Sequence, residues 1–181
     1  MELTKIAFGG GCHWCTEAVF QILIGVVKVQ QGWVRSVKEN DTFSEAVIVH
    51  FNAKKTDLKV LIEIHLLTHK STSNHSMRNK YRSAIYYFSE QQKKKSQKIK
   101  ADLQLKFKDK IITQIVAFKN FKPSSEKFQN YYQSNPEKPF CQNYINPKLN
   151  FLLQKFSKNV NQRIDLTINF EFIASLFYKI E

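Results

Sequence analysis

The sequence predicts an α+β fold, an α/β sandwich with a mixed central sheet flanked by helices, a ferredoxin-like core and a loop-rich C-terminal part. Three observations carry this. Apolar runs of strand character alternate with stretches of helical period along most of the chain. The 181 residues are 43% apolar and include 15 Phe and 7 Tyr, enough for one sizeable core. All four prolines fall late, at Pro123, Pro136, Pro139 and Pro147.

The elements follow in order. "LTKIAF" (3–8) reads as a short buried strand that three glycines end. "CHWCTEAVFQILIG" (12–25) reads as a helix with Cys15, Ala18, Val19 and Ile22 on one face and Gly25 as its stop. "VVKVQQGW" (26–33) and "SEAVIVHF" (44–51) are strands around a polar loop. "TDLKVLIEIHLLTH" (56–69) opens with Thr56 as a cap and puts Leu58, Leu61, Ile62 and His65 on one face. A polar loop (70–80) leads to a strand, "YRSAIYYF" (81–88). Ser89 then caps a basic helix carrying Ile99, Leu103 and Phe107 at helical spacing. "KIITQIVAF" (110–118) is a strand and "SSEKFQNYYQ" (124–133) a helix. In 162–181 the residues Ile164, Leu166, Ile168, Phe170 and Phe172 alternate as in a half-buried strand, and the stretch also suits an apolar helix. One domain is expected at 1–156, with 157–181 as an extension.

The net charge is +13, and it is uneven. Residues 91–110 hold eight lysines against two aspartates. That stretch is read as the solvated face of an amphipathic helix. No zinc-finger, helix-turn-helix or RNA-binding aromatic motif accompanies it, so no specific nucleic-acid partner is expected. No run of 18 apolar residues exists, so no membrane span is expected. The start has only a three-residue apolar patch, too short for a signal peptide, and a cytoplasmic, monomeric protein is expected. In that compartment thiols stay reduced and a disulfide tends to be transient and catalytic.

The chemistry concentrates in "GGGCHWC" (9–15). Cys12 stands between a glycine turn and a helix start, where free N–H groups and the helix dipole favour a thiolate. Glycines at 9, 10 and 11 leave clearance around the sulfur. Cys15 lies one helical turn on. It is either a partner for Cys12 in a disulfide or a small core residue beside Ala18 and Ile22. No metal site is expected, because a second CxxC or histidine pair for zinc is missing. His65 and His69 share helical spacing, but His65 falls on the apolar face and reads as a core histidine. Glu17 is placed with exposed carboxylates of a first helical turn. A CxxC between strand and helix also suggests a thioredoxin-like thiol-disulfide oxidoreductase. That fold needs a proline facing the dithiol from mid-domain, and no proline lies between Cys15 and Pro123.

"GGGCHWCTEAVFQILIGVVKVQQGW" resembles the A-type peptide methionine sulfoxide reductases. "SEAV" (44–47), "KYRSAIYYFSEQQ" (80–92), "FKPSSEKFQNYYQSNP" (121–136) and "PFCQNYINPKL" (139–149) resemble further family segments in the same order, covering about residues 4–155. The resemblance implies a Cys12 thiolate that attacks the sulfur of a methionine S-sulfoxide and becomes a sulfenic acid. A second thiol, Cys15 or Cys141, then condenses with it. An external thioredoxin-like dithiol reduces the disulfide, with no bound cofactor. The implied substrates are free methionine sulfoxide or oxidised proteins. The resemblance makes Glu45 the proton donor to the sulfoxide oxygen, in an apolar pocket that raises a carboxyl pKa. Tyr81 is a hydrogen-bonding partner of the same oxygen. His13, Trp14 and Trp33 line the substrate site, with Trp14 walling the methyl group.

The chain departs from the family pattern at several positions. His13 replaces a phenylalanine, Trp33 a tyrosine, Ser76 an aspartate and Phe128 a histidine. The glycine-rich loops that follow Gly-Tyr and precede Tyr-Arg-Ser are shorter. A non-catalytic basic binding module on a lapsed reductase scaffold is the alternative of a different class.

Overall fold

The computed structural model describes residues 3–161. The alternating stretch 162–181 lies outside them. Strands β1 (Thr4–Gly9), β2 (Val26–Arg35), β3 (Ser44–Phe51), β4 (Ala84–Tyr87), β5 (Gln114–Ala117) and β6 (Asn120–Pro123) form one sheet. Its order is β5-β4-β1-β3-β2-β6. All neighbours are antiparallel except β4 and β5, so the sheet is mixed. Helix α1 (His13–Gln21) joins β1 to β2, and α2 (Leu58–Thr68) joins β3 to β4. The inner four strands and these helices make the expected ferredoxin-like βαββαβ core.

The strands are apolar on both faces because both faces are covered. Ile6 and Phe8 on β1, with Val47 and Val49 on β3, face the helices. Between them, Ala7, Ala46 and Ile48 face a smaller cluster containing Val34, Ala84 and Tyr86. In α2, Leu58, Leu61, Ile62 and His65 are all buried, as their spacing predicts. Helix α3 (Glu90–Gln104) buries Ile99 and Leu103 and leaves most of its lysines in water. Ser89 caps it, accepting the N–H of Gln92 at 3.2 Å.

Several boundaries differ from expectation, each for a physical reason. Helix α1 stops at Gln21, because Leu23 leaves it to bridge Val160. The cap of α2 is Asp57, which accepts the N–H of Lys59 at 2.9 Å, while the Thr56 hydroxyl donates to the Ile24 carbonyl. β5 is shorter than 110–118, since the N–H of Ile111 goes to the Gln104 side chain and that of Ile112 to the Ser71 carbonyl. The helix expected at 124–133 is broken by Asn130 at φ 55. A 3₁₀ turn (Glu126–Phe128) and a single turn α4 (Tyr131–Ser134) remain. β6 carries no alternation and ends in Pro123, which an edge strand tolerates.

Among the described residues the C-terminal part joins loops and short turns at 124–140 to a helical end. A π-helical turn (Cys141–Ile145) runs into α5 (Asn146–Lys155). Pro147 sits in the first turn of α5, where a missing N–H costs nothing. Residues 157–161 pack on the body. Val160 is buried, and backbone hydrogen bonds of 2.8 Å tie Ile24 to Asn159 and Asn161 to Ile22.

Gly32 is where β6 meets β2. A Cβ there would run into the Lys122 carbonyl and stand 2.9 Å from Pro123 Cα. Gly32→Ala is expected to cost about 1–3 kcal/mol, the usual range for overpacking. Amide exchange at Val34 and Phe121 should rise with it, and unchanged protection there would contradict the close approach.

Candidate active site

The site begins where β1 ends. Gly9 is wedged between the carbonyls of Arg82 and Glu45, and a Cβ on Gly10 would strike the ring of His69. Only Gly11 has open space around it. Two of the three glycines therefore serve close backbone packing, and one provides the expected clearance. Cys12 is the N-cap residue of α1 and is partly exposed. Its carbonyl accepts from the N–H and hydroxyl of Thr16 at 3.2 and 3.1 Å.

The Cys12 thiol is pulled below its ordinary pKa. The largest cause is the S–H of Cys15, which donates to the thiolate; the backbone N–H groups of Trp14 and Cys15 add to it. Burial and the charge of Glu45 act the other way. Cys15 is pushed far up in turn, chiefly by that hydrogen bond and then by burial. It also belongs to the apolar core, as one of its two sequence readings has it, and all three cysteines are free thiols. Cys141 is fully buried and donates to the Asn135 carbonyl at 3.5 Å, and burial raises its thiol pKa.

Glu45 lies on β3 opposite Trp33 and is buried. Its pocket is not apolar. Oε2 accepts the N–H of His13 at 3.1 Å, and Oε1 stands 3.5 Å from the Lys80 ammonium. The carboxylate thus caps α1 from a neighbouring strand, a role that the Cys12 side chain does not fill. The His13 ring nitrogen Nδ1 donates to the Gly32 carbonyl at 3.0 Å, and the ring meets Trp33 edge-on at 5.2 Å. Trp14 is not a bare wall. Tyr131 stacks on it at 4.0 Å, and Phe140 and Phe128 flank it at 5.5 and 5.9 Å.

A cavity of about 430 Å³ opens beside Cys12. Gly11, Cys12 and Cys15 line it, and Tyr81 and Met77 form part of its wall. Glu45, His13 and Trp33 group at the same helix start without lining this cavity. A larger groove, about 620 Å³, lies along β2 and residues 123–133 and contains no thiol. Among the described residues, no cluster of three or more His, Cys, Asp or Glu could hold a metal. No helix among them is long and apolar enough to cross a membrane.

The peptide methionine sulfoxide reductase family model matches residues 4–161. The chain belongs to that family. It is 37% identical over 164 residues to the peptide methionine sulfoxide reductase MsrA of Ruthia magnifica, covering 83% of this chain and 97% of that protein. It is also similar in structure to reduced Mxr1 from Saccharomyces cerevisiae. There the TM-score is 0.68 at 26% identity, over 77% of this chain and 90% of that one. A structure of Mxr1 in complex with Trx2 matches with a TM-score of 0.58 at 26% identity, over 72% and 85% of the two chains. The reductase is an oxidoreductase that reduces methionine sulfoxide.

Sequence reasoning misplaced or missed several residues of the reductase. Glu17 is buried, not exposed. Its carboxylate accepts from Gln31 Nε2 at 2.9 Å and from the N–H groups of Asn130 and Tyr131 at 2.9 and 3.1 Å. Burial raises its pKa, and the two backbone N–H groups oppose that shift. Lys80 and Lys148 were lost among 28 basic residues. A signal for Lys80 existed, because it stands where the family segment has glutamine before Tyr-Arg-Ser.

Replacing Cys15 by alanine removes the leading donor to the Cys12 thiolate, so the Cys12 pKa should rise. Below that pKa the thiolate fraction falls, and iodoacetamide should alkylate Cys12 more slowly at pH 7. The pH midpoint of the rate should move upward, and an unmoved midpoint would show that the backbone N–H groups alone set it.

Proposed function

We propose that Cys12 is the nucleophile and that methionine S-sulfoxide, free or in oxidised proteins, is its substrate. The observation that carries this is the Cys12 sulfur at the start of α1. Cys15 S–H and two backbone N–H groups stabilise its thiolate, and it has an open cavity beside it. The thiolate attacks the sulfoxide sulfur. The oxygen takes up a proton and passes to Cys12 as a sulfenic acid, and methionine leaves. Cys15 S–H then condenses with the sulfenic acid, forming the S–S bond and releasing water. Cys15 is preferred as the resolving thiol because it is already hydrogen-bonded to Cys12. Cys141 is buried but near enough for its charge to act on Cys15, which suits a later exchange.

The proton for the oxygen is assigned to the set of Glu45, Lys80 and Tyr81. The Lys80 ammonium stands 3.5 Å from Glu45, and a hydrogen bond with Tyr81 raises its pKa. Tyr81 lines the cavity and carries a hydroxyl that can donate. His13, Trp14 and Trp33 are the aromatic side of the site. No bound cofactor is required, because an external dithiol, thioredoxin-like, supplies the two electrons by exchange. The Trx2 complex of the yeast relative supports that reductant. A cytoplasmic setting, which keeps such dithiols reduced, suits it.

With dithiol present, the wild type should reduce the S epimer and not the R epimer, and Cys12→Ser should reduce neither. Equal inactivity of both proteins on both epimers would end the reading. After one turnover without reductant, mass mapping should find Cys12 joined to Cys15. In Cys15→Ser the sulfenic acid should persist at least tenfold longer, and a Cys12–Cys141 link at the wild-type rate would transfer the resolving role to Cys141.

A further inference from the structure

The cavity beside Cys12 has an unusual charge balance. Lys70, His75 and Lys148 line it, and no Asp or Glu does among the described residues. The cations are not equivalent. Lys148 donates to the Thr68 carbonyl, and its charge acts on Cys12 and Cys15, so it is matched to the thiolate end. Arg78 donates to the carbonyls of Gly10, Tyr81, Ser73 and Lys70 and adds positive charge behind the wall without a carboxylate partner among the described residues. Lys70 is exposed at the cavity and likewise has no acidic partner among them. His75 Nδ1 accepts the N–H of Met77 at 3.2 Å, which leaves its Nε2–H to donate. The nearby carboxylate, Glu45, is already matched by Lys80.

We propose that this cavity is a carboxylate subsite: the enzyme takes methionine sulfoxide whose own α-carboxylate is free, as the amino acid or a C-terminal residue, ahead of the same residue inside a chain. This rests on the reductase reading of Cys12. In methionine the α-carboxylate carbon lies four bonds from the sulfur. With the sulfoxide sulfur at Cys12, a chain of that length can extend into the cavity of about 430 Å³ that Cys12 itself lines, a size that encloses small ligands. Lys70 and the His75 Nε2–H are the groups left to receive it. The thiolate, which would repel an anion, is offset by Lys148.

Three substrates test this with the full chain and a dithiol: N-acetyl-methionine sulfoxide, its C-terminal amide, and a blocked peptide with internal methionine sulfoxide between two aspartates. A partly exposed ion pair is worth up to about 1 kcal/mol, or roughly fivefold. The free acid should exceed the amide about fivefold in kcat/KM, through KM. In Lys70→Gln the ratio should fall to within about twofold, and in Lys70→Glu it should invert. The aspartate peptide should behave like the amide. Equal kcat/KM for acid and amide, or a ratio that survives Lys70→Gln, overturns the subsite. A preference for the aspartate peptide over the free acid overturns the α-carboxylate as its source. If no sulfoxide is reduced at all, the reductase reading fails separately. Nuclear magnetic resonance titration of Cys12→Ser with the acid and the amide then decides the subsite: shifts at Lys70 and His75 with the acid alone uphold it, and identical shifts or none overturn it.

Discussion

One carboxylate fixes where the first turn of α1 lies. Glu45, on β3 between β1 and β2, accepts the N–H of His13 and so pins that turn to the sheet. Helix starts leave N–H groups without partners; Glu45 takes that of His13, and the Cys12 sulfur takes those of Trp14 and Cys15. The cap is therefore supplied through space, which frees the Cys12 sulfur for the remaining N–H groups of the turn. The same arrangement carries a cost. The Glu45 charge raises the Cys12 pKa, and Cys15 S–H more than compensates.

A second buried carboxylate holds the aromatic side together. Glu17 gathers the N–H groups of Asn130 and Tyr131 and the amide of Gln31, and this ties the segment after β6 onto α1. Tyr131 is thereby set on the face of Trp14 with an interplanar angle of 1°. Asn130 takes the left-handed backbone that this turn needs. The loss of helix at 124–133 and the covering of Trp14 are thus one event with one cause. The three donors offset the desolvation of Glu17, which would otherwise be prohibitive for an isolated buried charge.

The histidines show how composition conceals environment. His65 is buried, tilted against Phe8 at 4.8 Å and stacked on His69 at 4.1 Å. Burial lowers both pKa values, that of His69 to about 4. Both rings are neutral at pH 7, and His69 backs the Gly10 turn without adding charge to the cavity. The net charge near the sulfurs accordingly comes from lysines and arginine, which stand on α5 and on the loop between α2 and β4.

The ferredoxin-like core was legible because its strands and helices carry local signals. β1 and β3 are apolar runs, α2 has its buried face at helical spacing, and "GGGCHWC" marks a strand-to-helix junction by glycine and cysteine alone. The candidate nucleophile, Cys12, followed from that junction, since a helix start favours a thiolate wherever it occurs. The late prolines concealed α5, because Pro147 belongs to a first helical turn and nothing in the local pattern separates that from a loop. Glu17 and Lys148 had no local signal, because the groups that define them lie 14 to 114 residues away for Glu17 and on other elements for Lys148. Sequence by itself determined the order of the core elements and the family, and singled out Cys12 as the candidate reactive sulfur. Only the tertiary structure decided which charges face that sulfur, because electrostatic surroundings depend on distance in space and not on position along the chain.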